Sequence, residues 1–471
     1  MLTTMRLRYR CVLWAASVWM TLHCGTIRAQ QEFGIGPGRD RVSELGLSPQ
    51  STVLDEPLAS PSQSIGIQQP VTQQPVTQQP SISPSDLPAW EQFGLHTHGF
   101  AETDAAAGNG QINFNDFPAD FLNGITIRNG RWAAKIGGYV KADLIHDYRA
   151  IDSQDFFDPA TIPVGDTQRT NTNFHVRQSR LNLDARWLSD NGEPLRILVE
   201  GDFFGVENAF RLRHAYGEYE GFIVGQTWTT LTHRAALPNT LDNVGDVASV
   251  GRRQAQVRYS RKYFDERLVL AASIEDSRVL VDEEFLQFGE PRTPYPDFIL
   301  RGRWVEENYQ FQLASVFRKV AFQPTAQEVE EFNGAGLNAT GLFHATPRDR
   351  FYGGILWGTG IGSYRDLPDV APIGGGEGTA VESLAWYVGL THAWDERWQT
   401  NVTYSEGDVN NTLLQPADSI NRMQYLATNL IWQPTESLFI GSELLWGLRV
   451  NNDGAEQDAS RIMVSFGFLL P

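Results

Sequence analysis

From Trp132 to the end of the chain, apolar and polar residues alternate with period two, in segments of about ten residues separated by turns and polar loops. Within 252–262, Ala255, Val257 and Tyr259 fall on one side, and Arg252, Gln254, Gln256, Arg258 and Ser260 fall on the other. A segment of this kind reads as a β-strand with one greasy and one polar face. Such segments lie near 133–147, 173–187, 194–204, 209–219, 221–229, 253–262, 267–276, 298–305, 309–317, 334–345, 350–357, 383–393, 398–406, 423–432, 438–449 and 461–470, sixteen in all. An even number of strands of this length is what a single-chain transmembrane barrel requires. The expected fold class is therefore all-β: an antiparallel transmembrane β-barrel of about 16 strands over 132–471, preceded by a disordered N-terminal segment.

The connections sort by parity. After the second strand and every second strand thereafter, the link is tight: SDNGEP, Glu220, FDER, EEN, TPRD, WDER and QPTE. The intervening links over 148–172, 230–252, 277–297, 318–333, 358–382, 407–422 and 450–460 are long, with only 205–208 short. With a periplasmic N-terminus, every tight turn is periplasmic and every long loop external, a regularity that a soluble sandwich has no reason to keep. The apolar faces agree. Leu181, Leu183 and Trp187 alternate with Arg180, Asn182, Asp184 and Arg186, and Leu384, Trp386, Val388 and Leu390 form another greasy face. Trp394, Trp398, Trp432 and Tyr263 fall near tight turns, where an interfacial aromatic girdle belongs. The last segment alternates Ile462, Val464, Phe466 and Phe468, and Leu469, Leu470 and Pro471 then displace the terminal aromatic that such strands usually carry.

The first residues look different. Arg6, Arg8 and Arg10 precede a short apolar core over 11–24, and Ile27-Arg28-Ala29 is a cleavage site, so 1–29 is expected to be a signal peptide. An anchor helix would need a longer apolar run, and a lipoprotein linked through Cys24 would need a better lipobox than His23 and Thr21 provide. Residues 30–90 are rich in Gln, Ser and Pro, with the repeat QQPVTQQPVTQQP at 68–80. They bury too little apolar surface to offset their ordering entropy and are expected to form a disordered periplasmic linker, either a plain tether or a segment reaching toward the cell wall. An irregular approach to the barrel is expected over 91–131.

Mean hydropathy is −0.31 despite 13 Trp, 14 Tyr and 26 Phe. No stretch beyond the N-terminus stays apolar for eighteen residues, which excludes a helical membrane protein. Both cysteines, Cys11 and Cys24, lie in the signal, so the mature chain is left without disulfides, zinc thiolates or a cysteine nucleophile. Removing 1–29 takes away Arg6, Arg8, Arg10 and Arg28, leaving 34 basic residues (38 less four) against 56 acidic ones. Nucleic acid is a poor partner for such a chain, but net charge does not fix the sign of a lumen.

If the apolar register faces lipid, the polar register faces the lumen. It carries Lys141, Arg180, Arg186, Arg196, Arg211, Arg213, Arg252, Arg258, Arg301 and Arg303, together with Asp143, Asp184, Glu200, Asp202 and Glu443. Guanidinium forks on such a wall bind carboxylate or phosphate, or else pair with the neighbouring acids and brace the barrel. Arg211 and Arg213 share one face about 7 Å apart. The loop TLTHRAALPNTLDNVGDVASVG is apolar for an exposed connection. It either folds back into the barrel, where His233, Arg234, Asp242 and Asp246 would line a constriction, or lies along the outside. No enzyme or cofactor motif stands in a supporting context, and His96 and His98 are a ligand pair only by coincidence.

Six motifs in order, GGYVKADLIHDY (137–148), VRQSRLNLDARW (176–187), EGDFFG (200–205), FRLRHAYGEY (210–219), VGQTWTTL (224–231) and RQAQVRYS (253–260), resemble those of the DcaP-like outer-membrane porin family, relatives of the phosphate-selective porins. The resemblance is dense over 137–260 and diffuse afterwards. It implies a trimeric sixteen-stranded porin in the bacterial outer membrane. It also implies an inward-folded third loop and passage of organic anions such as dicarboxylates. By motif position it assigns Lys141, Arg177, Arg180, Arg211, Arg213, Arg253 and Arg258 to the solute path. The helical periplasmic extension common in that family is replaced here by the Gln/Pro-rich stretch. The expected partners are outer-membrane lipid, further copies of the chain and small anions, with no cofactor. The rival expectation is a structural or adhesive barrel that tethers the envelope.

Overall fold

In a computed structural model, residues 125–129, 131–149, 151–165, 169–189, 194–374 and 377–470 can be described. The expected signal peptide, the linker and His96 and His98 lie outside the described residues. The barrel consists of β1 (Trp132–Arg149), β2 (Asn171–His175 continued as Arg180–Leu188), β3 (Pro194–Asp202), β4 (Arg211–Tyr219), β5 (Phe222–Trp228), β6 (Arg253–Tyr263), β7 (Leu268–Glu275) and β8 (Asp297–Val305). It continues with β9 (Tyr309–Pro324), β10 (Glu330–Thr346), β11 (Asp349–Thr359), β12 (Glu382–Ala393), β13 (Trp398–Asn410), β14 (Ile420–Thr435), β15 (Leu438–Asn451) and β16 (Glu456–Leu469). Each strand pairs antiparallel with the next. Leu144 of β1 lies opposite Val464 of β16 and Val140 opposite Phe468, so the sheet closes on itself as a 16-stranded barrel with no free edge.

Every expected strand is present, with differences at the ends. Part of the irregular approach expected over 91–131 forms a short strand, Ile125–Asn129, paired with the start of β1. β2 is interrupted at 176–179, where the Ser179 hydroxyl takes the place of the ladder: Lys141 N donates to Ser179 Oγ at 3.0 Å. β9 and β10 run to 16 and 17 residues, more than the nine to eleven or so that cross a bilayer. They continue as a hairpin beyond it, and the loop expected over 318–333 shrinks to 325–329. In contrast, β3, β4 and β5 have only 9, 9 and 7 residues, so the wall is low there.

Burial is inverted relative to a soluble protein. Leu181, Leu183, Ile197, Leu313, Ile355 and Val402 are exposed on the outer register, while Asp184, Glu200, Gln312 and Ser405 are buried on the inner one. This is a transmembrane barrel's arrangement, apolar toward lipid and polar within. At the tight-turn end Trp398 and Trp432 stack at 5.6 Å and 18°, and Trp394 is exposed beside them. The β4–β5 turn consists of Glu220 (φ 47°) and Gly221 (φ 81°), the two positive values that a two-residue hairpin matched to strand twist demands. A side chain at Gly221 would meet the Ser260 carbonyl at 2.4 Å. The displaced C-terminal aromatic also has a structural reason. Leu469 N donates to Ser437 O and Leu470 N to Gly138 O, both at 2.9 Å, so the two leucines complete the pairing that Phe466 and Phe468 begin.

Leu313 lies opposite Gly302 and Ala339 in the middle of the outer wall. Leu313→Arg is expected to destabilise the barrel in vesicles by about 2–4 kcal/mol, as charged side chains do at the bilayer midplane. Equilibrium denaturant titration checks it, and Gln310→Arg at the half-buried inner end of β9 should cost far less.

Candidate functional site

The inner faces of β2, β3 and β4 carry a ladder of alternating charges. Arg186 and Arg196 both reach Asp184 at 3.1 Å, and Arg196 also reaches Glu218 at 3.4 Å. Higher up, Arg213 bonds Glu200 at 3.0 Å and Asp202 at 2.9 Å. Arg211 grips Asp202 with both fork nitrogens at 2.9 and 2.8 Å. Arg180 lies 3.9 Å from Glu200 and donates to Asn243 of the 229–252 loop at 3.3 Å. Each pair is a charge-assisted contact in a partly desolvated place, where removing one member costs more than the pair contributes. Over β2–β8 the inward arginines 180, 186, 196, 211, 213, 258, 301 and 303 outnumber the acids Asp184, Glu200, Asp202, Glu218, Glu275 and Asp297.

Arg211 and Arg213 share the inner face through a bulge. Glu200 is opposite His214, but Gly201 is opposite Leu212, so one extra residue lies on β4 at Arg213. Without it, Arg211 would follow Ala215 and Gly217 onto the lipid register. Arg258 is inward and 1% exposed. Arg253 shares instead the register of Ala255, Val257 and Tyr259, and its guanidinium stacks on Trp228 at 4.6 Å. Arg177 clamps two connections. It pairs with Asp155, donates to the Phe203 and Gly205 carbonyls, and lies 5.3 Å from the Phe204 ring, which Arg211 covers at the same distance. Lys141 is buried, bonded to Asp143, Gln178 and the Leu241 carbonyl.

The 229–252 loop hydrogen-bonds to inward side chains of strands distant in sequence. Gln312 of β9 and Asn338 of β10 both donate to Leu231 O, at 2.9 and 2.8 Å. Arg350 of β11 donates to Ala235 O, Ser405 of β13 accepts from Val247 N, and Asn429 of β14 donates to Asn239 O. His233, Asp242 and Asp246, expected to line a constriction, bond within this framework. His233 is buried between Thr340 and Gln310, and burial together with Arg303 holds its imidazole well below its usual range. Asp242 accepts from the backbone N–H groups of Phe157, Val244 and Gly245, and Asp246 from those of Ala248 and Ser249. Arg234 is half-buried. The side chains of Phe157, Ile162, Val247 and Leu367 from three loops form an apolar cluster with Met423, Tyr425 and Leu445 of β14 and β15.

Sequence reasoning missed Arg318. On β9 it is fully buried, bonding Asp297 at 3.0 Å and Asp369 at 3.2 Å as well as Ser363, Ser277 and the Gly360 carbonyl, so it ties the β7–β8 and β11–β12 connections to the wall. Only the two-residue rhythm of β9 carried past Phe317 would have turned it inward. Asp369 also accepts from Ser363 N and Leu280 N at 2.9 Å.

No family model matches the chain, and no curated protein matches it. Among solved structures it is similar to the outer-membrane channel DcaP of Acinetobacter baumannii, with 19% identity and a TM-score of 0.64 over 72% of this chain and 97% of that one. The anion-selective porin from Comamonas acidovorans superposes less closely, with 11% identity and a TM-score of 0.49 over 72% of this chain and 99% of that one. At these identities the likeness is one of fold: this is a barrel built like the DcaP channel.

Burial pushes the Asp369 carboxyl up to about 6, although Arg318 opposes the shift. A solvated aspartate releases its proton near pH 3.9. The folded loop therefore holds the proton more tightly, and its stability from this group is complete below about pH 4 and lost as pH rises through about 6. Exchange of the Ser363 and Leu280 amides, corrected for intrinsic rate, should be slower at pH 4.5 than at pH 7. In Asp369→Asn this difference should vanish.

Proposed function

We propose that this chain is an outer-membrane porin of the DcaP-like type, passing small organic anions such as dicarboxylates by diffusion. The observation that carries the reading is the surplus of arginine over carboxylate on the inner faces of β2–β8. A solute carboxylate meeting interleaved Arg–Asp pairs exchanges one guanidinium partner for another, so it is attracted without being held. The 229–252 loop is read as folded into the lumen against β9–β15, and its hydrogen bonds to Gln312, Asn338, Ser405 and Asn429 support this. The path would then run off-centre, along the β2–β4 wall, which the loop touches through the Arg180–Asn243 bond. Arg177 and Lys141 act in this reading as braces, whereas the exposed Arg211 meets the route and the buried Arg180, Arg213 and Arg258 supply positive charge behind it. The low wall of β3–β5, greasy outside, suits contact with further copies, in keeping with a homotrimer.

A sealed structural barrel is the second reading. What favours it is that the inner register is buried around most of the circumference, leaving little bore. Single-channel recording in a salt gradient separates the two. The porin reading expects step-like conductance with a reversal potential on the anion side. Arg180→Gln/Arg213→Gln, which leaves Glu200 and Asp202 under-compensated, should move the reversal potential toward cations. A silent wild-type barrel favours the structural reading, and cation selectivity unaffected by the double substitution sinks the arginine route.

A further inference from the structure

The tip of the 229–252 loop, farthest from both of its attachments, is fastened to a specific place on the opposite wall. Leu241 is 1% exposed and belongs to a buried apolar cluster with Ile145, Ile431, Phe439 and Met463. It projects over Gly441, where a side-chain carbon would come within 2.8 Å of Leu241 Cδ1 and 2.9 Å of Cδ2. The hollow therefore exists only because position 441 lacks a side chain. Two residues along the same face of β15, Glu443 Oε2 accepts from Leu241 N and Oε1 from Asp242 N, both at 2.9 Å. Asn429 donates to that carboxylate and to the Asn239 carbonyl, each at 2.9 Å. From the other side, Lys141 donates to Leu241 O at 2.7 Å while paired with Asp143 at 2.8 Å. An anion thus holds two consecutive N–H groups, a cation holds the carbonyl of the same residue, and a leucine fills the hole between them.

We propose that Gly441, Glu443 and Lys141 form a seat for the Leu241 tip, and that this seat fixes the bore of the channel. The inference rests on the porin reading for its effect on flow, but the seat itself is independent of that reading. These are positioning residues: a loop of this length closes at a modest entropic cost whichever way it lies, so its place is set by where its tip docks. The flanking Asp242 strengthens the docking. Its carboxylate takes the Phe157 amide at 2.8 Å, joining a second loop to the same point.

The test pairs amide hydrogen exchange with single-channel recording on the full chain, using Gly441→Val, Leu241→Ala and Glu443→Gln, with Val402→Ala on the lipid face as control. The electrophoretic shift on heating reports folding for each variant, and Leu241→Ala stands in if Gly441→Val does not fold. The expected result is slow exchange at Leu241 and Asp242 in the wild type, and exchange on the order of tenfold faster in the three variants, as loss of a buried leucine contact or a charged acceptor implies. Unit conductance and the size limit for neutral solutes should rise in the same variants and stay at wild-type values in Val402→Ala. Fast exchange at both amides in the wild type, or no change in the variants, overturns the seat. Faster exchange with unchanged conductance overturns its control of the bore. A wild type that is silent while Gly441→Val conducts supports the seat as a plug. If every chain is silent yet exchange responds as expected, the porin reading fails and the seat stands.

Discussion

Everything in this molecule follows from the requirement that no backbone N–H or C=O be left unpaired in the hydrocarbon of a bilayer. The β1–β16 ladder meets that requirement by closing the sheet, and closure forces the alternation. With lipid outside, each strand must place every second residue toward apolar surroundings and the others inward. The inward residues then face each other across a confined space. There the chain has placed arginine and carboxylate in interleaved pairs, and the pairs are buried because long side chains and returning loops fill the interior. The charged wall is thus a consequence of closure plus the need to neutralise what closure encloses.

The same constraint divides the interior. On β14 and β15 the inward residues include Met423, Tyr425 and Leu445, and these take the apolar sides of the loops. On β2–β4 they are Arg180, Arg196, Arg213 and their acids, and Asn243 of the loop bonds Arg180 there. A loop whose greasy residues include Leu231, Leu241, Val247 and Val250 lies against the wall that matches it.

Much of the barrel was legible because period-two alternation over sixteen segments survives errors at individual ends. The ends themselves were not. β9 and β10 continue past the membrane as a hairpin held by its own ladder, where no lipid enforces an apolar face and the pattern fades. The bulge at Arg213 left a trace that pattern reading passed over. Phe210 and Leu212 place the apolar face on even numbers, whereas Tyr216 and Glu218 place the polar face there, and both hold only if one residue is inserted between them. Arg253 is the converse case, since its parity with Val257 already separated it from Arg258. Its assignment to the solute path came from a motif, and its guanidinium lies over Trp228, whose ring meets that of the inward His214.

The loop residues were the least legible. Histidine, arginine and aspartate in an inward loop suggest a charged constriction, yet both oxygens of Asp242 and Oδ1 of Asp246 accept from backbone amides of the loop and its neighbours. This is the expected behaviour of an aspartate two or three residues before unpaired N–H groups, and the spacing DNVG and DVAS contains it. A carboxylate so engaged shapes the loop. On the porin reading proposed above, the selective charges would be those of the wall, where arginine spacing is dictated by strand geometry. Selectivity would be set by how far the loop stands from that wall, and its distance by where the tip is held.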